Sequence, residues 1–170
     1  APPPPPPVRR GGWGDPHYLT YAGEHYSFQG VGVFSLVKGV YDGRPFEVQA
    51  YQCSCGANVV GASCMVKVAI SMNTDVDSCT VIIGVGESYE LDNWGRVELT
   101  SGGAFVSIPN TLQSSGGLSG LLVQSPLIPA GHDWLCSSSL QPVPSTKSLF
   151  ESSDLDSCGV PDDADMPLNC

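Results

Sequence analysis

Basic residues are scarce in this 170-residue chain: seven Lys and Arg stand against 17 Asp and Glu, a net charge of −10. Phosphate backbones are bound mainly through Lys and Arg that displace counterions, so nucleic acid is excluded as a partner. Charge of either sign is thin, at 14% of residues, below the roughly 25% of an ordinary soluble domain. No apolar run nears the ~20 residues of a helical membrane span, so none is expected. No stretch carries apolar residues at i, i+3, i+4 and i+7, which argues against amphipathic helices. There is no Asn-x-Ser/Thr, so no glycan on Asn is expected. Gly-x-Ser-x-Gly, His-Glu-x-x-His and a glycine-rich phosphate loop are all missing, and with them the familiar routes to catalysis.

What is present points to one loop-rich domain. Apolar content of 41% rules out global disorder, and Gly (20) with Pro (15) makes up about a fifth of the chain. From Trp13 to about Cys136 the pattern has a period of two, broken by turn residues. Strands are expected at His17–Tyr21, Val31–Lys38, Pro45–Tyr51, Cys64–Met72, Cys79–Ile83, Ser88–Leu91, Arg96–Leu99, Ala104–Ile108 and Leu118–Gln124. Their Val, Ile, Tyr, Phe and Thr suit pleated surfaces. The expected class is all-β, an antiparallel β-sandwich. It divides the chain into a polyproline arm with a basic junction (1–12), the sandwich (13–136) and a Ser/Pro-rich, acidic, Cys-containing segment (137–170).

The arm holds Pro2, Pro3, Pro4, Pro5, Pro6 and Pro7, whose locked φ and missing N–H groups dictate polyproline II. It reads as a stiff spacer, as a docking strand, or as a hydroxylated stalk with O-glycans on those prolines. Arg9 and Arg10 follow with no acid close in sequence, so a head-to-tail contact with the acidic end of another copy is expected, of the open kind that builds filaments. Glu151 to Cys170 carries six acids and no base; a solvated tail and a hard-cation site are the two readings. Cysteines stand at Cys53, Cys55, Cys64, Cys79, Cys136, Cys158 and Cys170, in no regular zinc spacing, which favours disulfides in an oxidising compartment over metal ligation. An odd number leaves one thiol free or paired with another chain. Beginning at Ala1 without Met or signal peptide, the chain reads, if secreted, as a processed form or an excised segment.

The most specific stretch is Gly14–Gly39, GDPHYLTYAGEHYSFQGVGVFSLVKG. It resembles the opening of a von Willebrand factor type D domain, with Gly14, Asp15, Pro16, His17, Tyr18, Thr20, Gly23, Tyr26, Phe28, Gly30 and Leu36 in register. Phe46-Glu47-Val48-Gln49, then Cys55 and Ser63 to Val68, is similar to that family's second and third strands. Gly95 to Pro109 is similar to its later hairpin. The resemblance covers about residues 12–125. It implies a disulfide from Cys55 to Cys64, with Cys53 able to replace Cys55. Cys53–Cys79 is the next candidate, and one pair is expected among Cys136, Cys158 and Cys170.

Departures from the family pattern carry information as well. The family's calcium-binding Asp after Thr-Phe is Ala22 here, and its Gly-Leu-Cys-Gly-Asn segment is missing, so no metal or other cofactor is expected. The cysteine expected before Gly14 is absent, and two others fall on Gly32 and Tyr41.

Acid–base material is limited to Asp15, His17, His25 and His132, and His17 at a strand opening reads as a structural hydrogen-bonding residue. The chain is therefore not expected to be an enzyme. One chemical possibility is self-cleavage between Asp15 and Pro16, as the resemblance implies for some mucin-like members. The resemblance implies an extracellular assembly module, and the arm looks like those of hydroxyproline-rich extracellular glycoproteins of green algae. The expected role is a structural part of an extracellular fibre, wall or appendage. Its expected partners are copies of itself or other extracellular structural proteins, with possible covalent glycans. The alternative is a carbohydrate- or ligand-binding adhesion module using Trp13, Trp94 and Trp134 as stacking platforms.

Overall fold

A computed structural model describes residues 7–13, 17–28, 30, 32–54, 63–73, 78–101, 103–113, 117–124, 143 and 147–155. They form ten strands: β1 (Val8–Trp13), β2 (His17–Leu19), β3 (His25–Ser27), β4 (Gly32–Tyr41), β5 (Arg44–Ser54), β6 (Ser63–Asn73), β7 (Ser78–Ile83), β8 (Glu87–Leu91), β9 (Gly95–Thr100) and β10 (Gly103–Ile108). Helix among the described residues is limited to single turns at Asn110–Gln113 and Ser152–Leu155. One sheet runs β3-β2-β1-β10-β9-β8 and the other β4-β5-β6-β7, with every pairing antiparallel.

The period of two explains how the sheets meet. Successive strand residues point to opposite faces, and Val48, Ala50, Val68 and Ile70 of one sheet join Tyr18, Val97, Leu99, Ala104 and Val106 of the other in one buried cluster. Each valine, leucine and isoleucine among them contributes about 1.5–3 kcal/mol by leaving water. Two hairpins turn at Asp42-Gly43 and at Asp92; Asp42 and Asp92 take the left-handed conformation, φ 51° and 49°, which short polar side chains tolerate best.

Eight of the nine expected strands are present, with ends moved by at most three residues. Leu118–Gln124 is not a strand. It clips onto the β4 edge through a single bridge, Lys38 to Ser119, and through Leu121 and Leu122 N–H donating to the Ser35 and Leu36 carbonyls. Gly120, at φ +119°, breaks the ladder there, and a Cβ on it would meet the Leu36 carbonyl oxygen at 2.5 Å.

β1 and β3 were not expected. On the inward face of β1, which carries Val8, Arg10 and Gly12, the position beneath Tyr18 is glycine: a Cβ on Gly12 would lie 2.5 Å from Met65 and 2.8 Å from Tyr18. The residues that make β1 fit between the sheets thus erase its apolar alternation. β1 begins at Val8. Arg9 and Arg10 are sheet residues rather than a linker.

Of the residues after 137, Val143 and 147–155 are described. Val143, Leu149, Phe150 and Leu155 pack with Val33, Tyr51, Cys53 and Ala69 on the outer face of the four-stranded sheet. The stretch is irregular, as expected, yet it covers the domain. Gln49, fully buried, holds it by donating from Nε2 to the Lys147 carbonyl (3.1 Å) and accepting from the Leu149 N–H at Oε1 (2.8 Å). Tyr51 Oη donates to the Leu155 carbonyl (2.8 Å) and Lys67 Nζ to the Asp154 carbonyl (2.6 Å).

Candidate functional site

The motif around β2 and β3 places its side chains in the interior. Tyr18 is fully buried and stacks on Tyr26 with ring centroids 5.2 Å apart. Its hydroxyl donates to Gln52 Oε1, while Gln52 Nε2 donates to the Gly30 carbonyl at 2.8 Å. Tyr21 Oη donates to the Val106 carbonyl (2.9 Å), and Tyr26 Oη to the Leu121 carbonyl. Burial pushes all three phenols well above the usual tyrosine range, because the phenolate would lose its water. Phe28 meets Phe34 edge to face at 4.9 Å. A Cβ on Gly30 would strike both rings at under 3 Å. These residues therefore tie the sheets together instead of presenting chemistry.

Of the acid–base residues, His17 and His25 are described, on neighbouring strands. His17 is exposed, and its Nδ1 shares a hydrogen bond with Ser27 Oγ at 3.0 Å. His25 is exposed one strand away. Asp15, Pro16 and His132 lie outside the described residues, so the self-cleavage reading finds neither support nor contradiction. Ala22 sits exposed in the turn before β3. Among the described residues no three of His, Cys, Asp and Glu come together.

Cys53 and Cys64 face each other across the β5–β6 ladder, and both are disulfide-bonded cysteines. Cys55, Cys136, Cys158 and Cys170 lie outside the described residues, and of Cys79 only the backbone is described. The register contradicts a Cys53–Cys79 bond. Cys79 faces Met72, which faces Phe46, seven residues from Cys53 along β5. That is roughly 23 Å of strand, against the ~7 Å Cα limit of a disulfide.

Arg9 also differs from expectation, because β-pairing brings it an acid that the local sequence does not. Its Nε lies 3.6 Å from Glu98 Oε1, and its guanidinium sits over the Phe105 ring at 3.7 Å. Arg10 Nε donates to the Thr20 carbonyl at 3.1 Å. The basic junction is therefore partly neutralised within its own sheet.

One end of the domain carries the concave surface. Trp94 stacks on Tyr41 at 4.4 Å and meets Phe46 edge-on at 5.1 Å. With 8% exposure it belongs to the core. Its remaining surface opens on two clefts. A 170 Å³ cleft is flanked by Asp42, Arg44 and Asp92. A 300 Å³ cleft is lined by Pro7, Tyr41, Asn93, Trp94, Pro109, Asn110 and Thr111, none of them charged. A third, of 390 Å³, lies along Lys38, Phe46 and Glu47. Sequence reasoning named Trp94 and Pro7 separately; only the pairing of β1 with β10 brings them to one cleft. The side chain of Trp13, and Trp134 altogether, lie outside the described residues.

Comparison with known proteins agrees with this architecture. The family profile of the von Willebrand factor type D domain matches residues 11–115. Hemocytin of Bombyx mori is 31% identical over 118 residues, covering 64% of this chain and 4% of that relative.

Proposed function

Since the chain belongs to the von Willebrand factor type D domain family, we propose that it is a structural, non-catalytic part of an extracellular glycoprotein fibre, wall or appendage. Domains of this family occur typically in extracellular multidomain glycoproteins and are generally non-catalytic. The observation that carries the structural reading is where the arm enters. Pro7 leads directly into β1, which is hydrogen-bonded on one side to β10 over six residue pairs and on the other to β2 over three. A pull along the arm loads both ladders in shear, so many bonds must yield together. This is an attachment suited to bearing load.

The partners of the arm, on this reading, are copies of the chain or other extracellular structural proteins, and O-glycans on Pro2 to Pro7 are compatible with it. Disulfide-bonded Cys53 and Cys64 suit an oxidising, extracellular compartment. The binding-module alternative is less favoured, because Trp94 gives one ring face to Tyr41 and meets Phe46 edge-on, so no open ring face is left for a sugar to stack on, only a margin along the cleft wall. Intact mass of the native protein, reduced and non-reduced, tests the placement. Adducts on the proline run, or partner mass released on reduction, are expected. An unmodified chain with all seven thiols free contradicts it.

A further inference from the structure

We propose that the uncharged cleft beside Trp94 is a receptor for the proline run of a second copy, and that two copies exchange their runs reciprocally. The inference rests on the assembly role above and names the site through which the arm acts.

The lining matches the chemistry of polyproline II. Such a run has no N–H to donate, and its carbonyls have no internal partner, so it needs apolar surface and hydrogen-bond donors together. Tyr41, Trp94 and Pro109 supply the surface. Asn93 and Asn110, both exposed at the rim, supply amide donors, and among the described residues neither side chain has a hydrogen-bond partner. The neighbouring cleft is flanked by Asp42, Arg44 and Asp92, whose charges a neutral run cannot satisfy. The run is also stiff before it binds, so ordering it costs little entropy.

The position of Pro7 decides whose run it is. Pro7 is itself part of the cleft wall and is exposed. As polyproline II, the six residues before it are about 19 Å long at ~3.1 Å per residue. Folding back over their own wall requires a tight turn, whereas in Ala1 to Pro7 every residue but the last precedes a proline, which holds it extended. A second copy meets no such restriction. Donor and receptor lie at the same end of the domain, so two copies facing each other satisfy both at once. This gives a closed, two-fold pair rather than an open head-to-tail chain.

Sedimentation equilibrium of the recombinant, unmodified chain under oxidising conditions, with free thiols alkylated, provides the test. The full chain is compared with a chain lacking residues 1–6 and with Asn93→Arg, which blocks the rim without touching the core. A peptide of residues 1–8 serves as competitor. A monomer–dimer equilibrium is expected, weakened at least about tenfold by either change, by roughly 1.4 kcal/mol, and dissolved by the peptide. If Asn93→Arg does not fold, the deletion and the peptide still carry the test. Monomer throughout, a dimer indifferent to the deletion, or growth beyond dimer overturns the proposal. So does a monomer that binds peptide only after residues 1–6 are removed, because the run then fills its own cleft. If the pair fails here while the arm is still needed for native assembly, the arm docks elsewhere and the structural reading stands.

Discussion

On the outer face of the six-stranded sheet, Arg96 bridges Glu90 (2.7 Å) and Glu98 (3.7 Å), and Arg9 reaches Glu98, with these side chains 28–60% exposed. The outer face of the four-stranded sheet instead carries Val33, Tyr51, Cys53 and Ala69 beneath Phe150, all under 10% exposed. Both sheets obey the same period of two, and both bury the same inner side. The difference lies in what covers the other side. One face is left to water and stays polar. The other is dry because Val143, Leu149, Phe150 and Leu155 lie across it. An antiparallel sheet with one wet face is ordinary, so the covered face is the informative one. A segment that composition marks as a tail has become part of the core.

The shared interior between the sheets should show the largest response. Tyr18, Tyr21 and Tyr26 have folded pKa values raised above their unfolded value of about 10. The unfolded chain therefore releases protons above pH ~10 while the folded one keeps them. The stability is intact below pH 10 and is lost above it, by about 1.4 kcal/mol per tyrosine per pH unit. Absorbance titration of phenolate should show three tyrosines ionising only as the domain unfolds; ionisation of all six near pH 10 contradicts the buried placement.

On the covered face, Phe150→Ala should cost about 3 kcal/mol in chemical denaturation, the range for emptying a buried phenylalanine site. A cost under ~1 kcal/mol would mean that residues 143–155 are not part of the cooperative unit. Gln49→Ala should cost about 2 kcal/mol, because it leaves the Lys147 carbonyl and Leu149 N–H without partners. Protection of the Leu149 amide in hydrogen exchange should fall with it. On the wet face, Arg96→Ala should cost well under ~1 kcal/mol, since exposed ion pairs contribute little. A loss there matching that of Phe150→Ala would erase the distinction between the faces.

Much of this was legible in the sequence, for a physical reason. Strands such as β9 and β10 alternate apolar and polar side chains because one face is wet, and that alternation can be read directly. β1 could not be read, because its inward face carries Arg10 and Gly12 where an apolar pattern would be sought, the glycine letting Tyr18 and Met65 approach. Leu118–Gln124 reads as a strand from its leucines and valine, yet Gly120 turns it into a clip. The outward Gln49 looks solvated in sequence and is fully buried, since its amide substitutes for the hydrogen bonds of a missing strand. The cleft was legible only in pieces. Pro7 and Trp94 lie far apart along the chain, and no local pattern encodes the register that joins them.

The central claim is that the proline arm is an assembly element anchored in a load-bearing sheet. Its most direct test is removal of residues 1–7 from the native protein, followed by sedimentation of the assembled material and denaturation of the released domain. The account predicts that assembly is lost while the domain, whose first strand starts at Val8, keeps its folding transition. Assembly that persists with unchanged geometry would reduce the arm to a spacer and contradict the account.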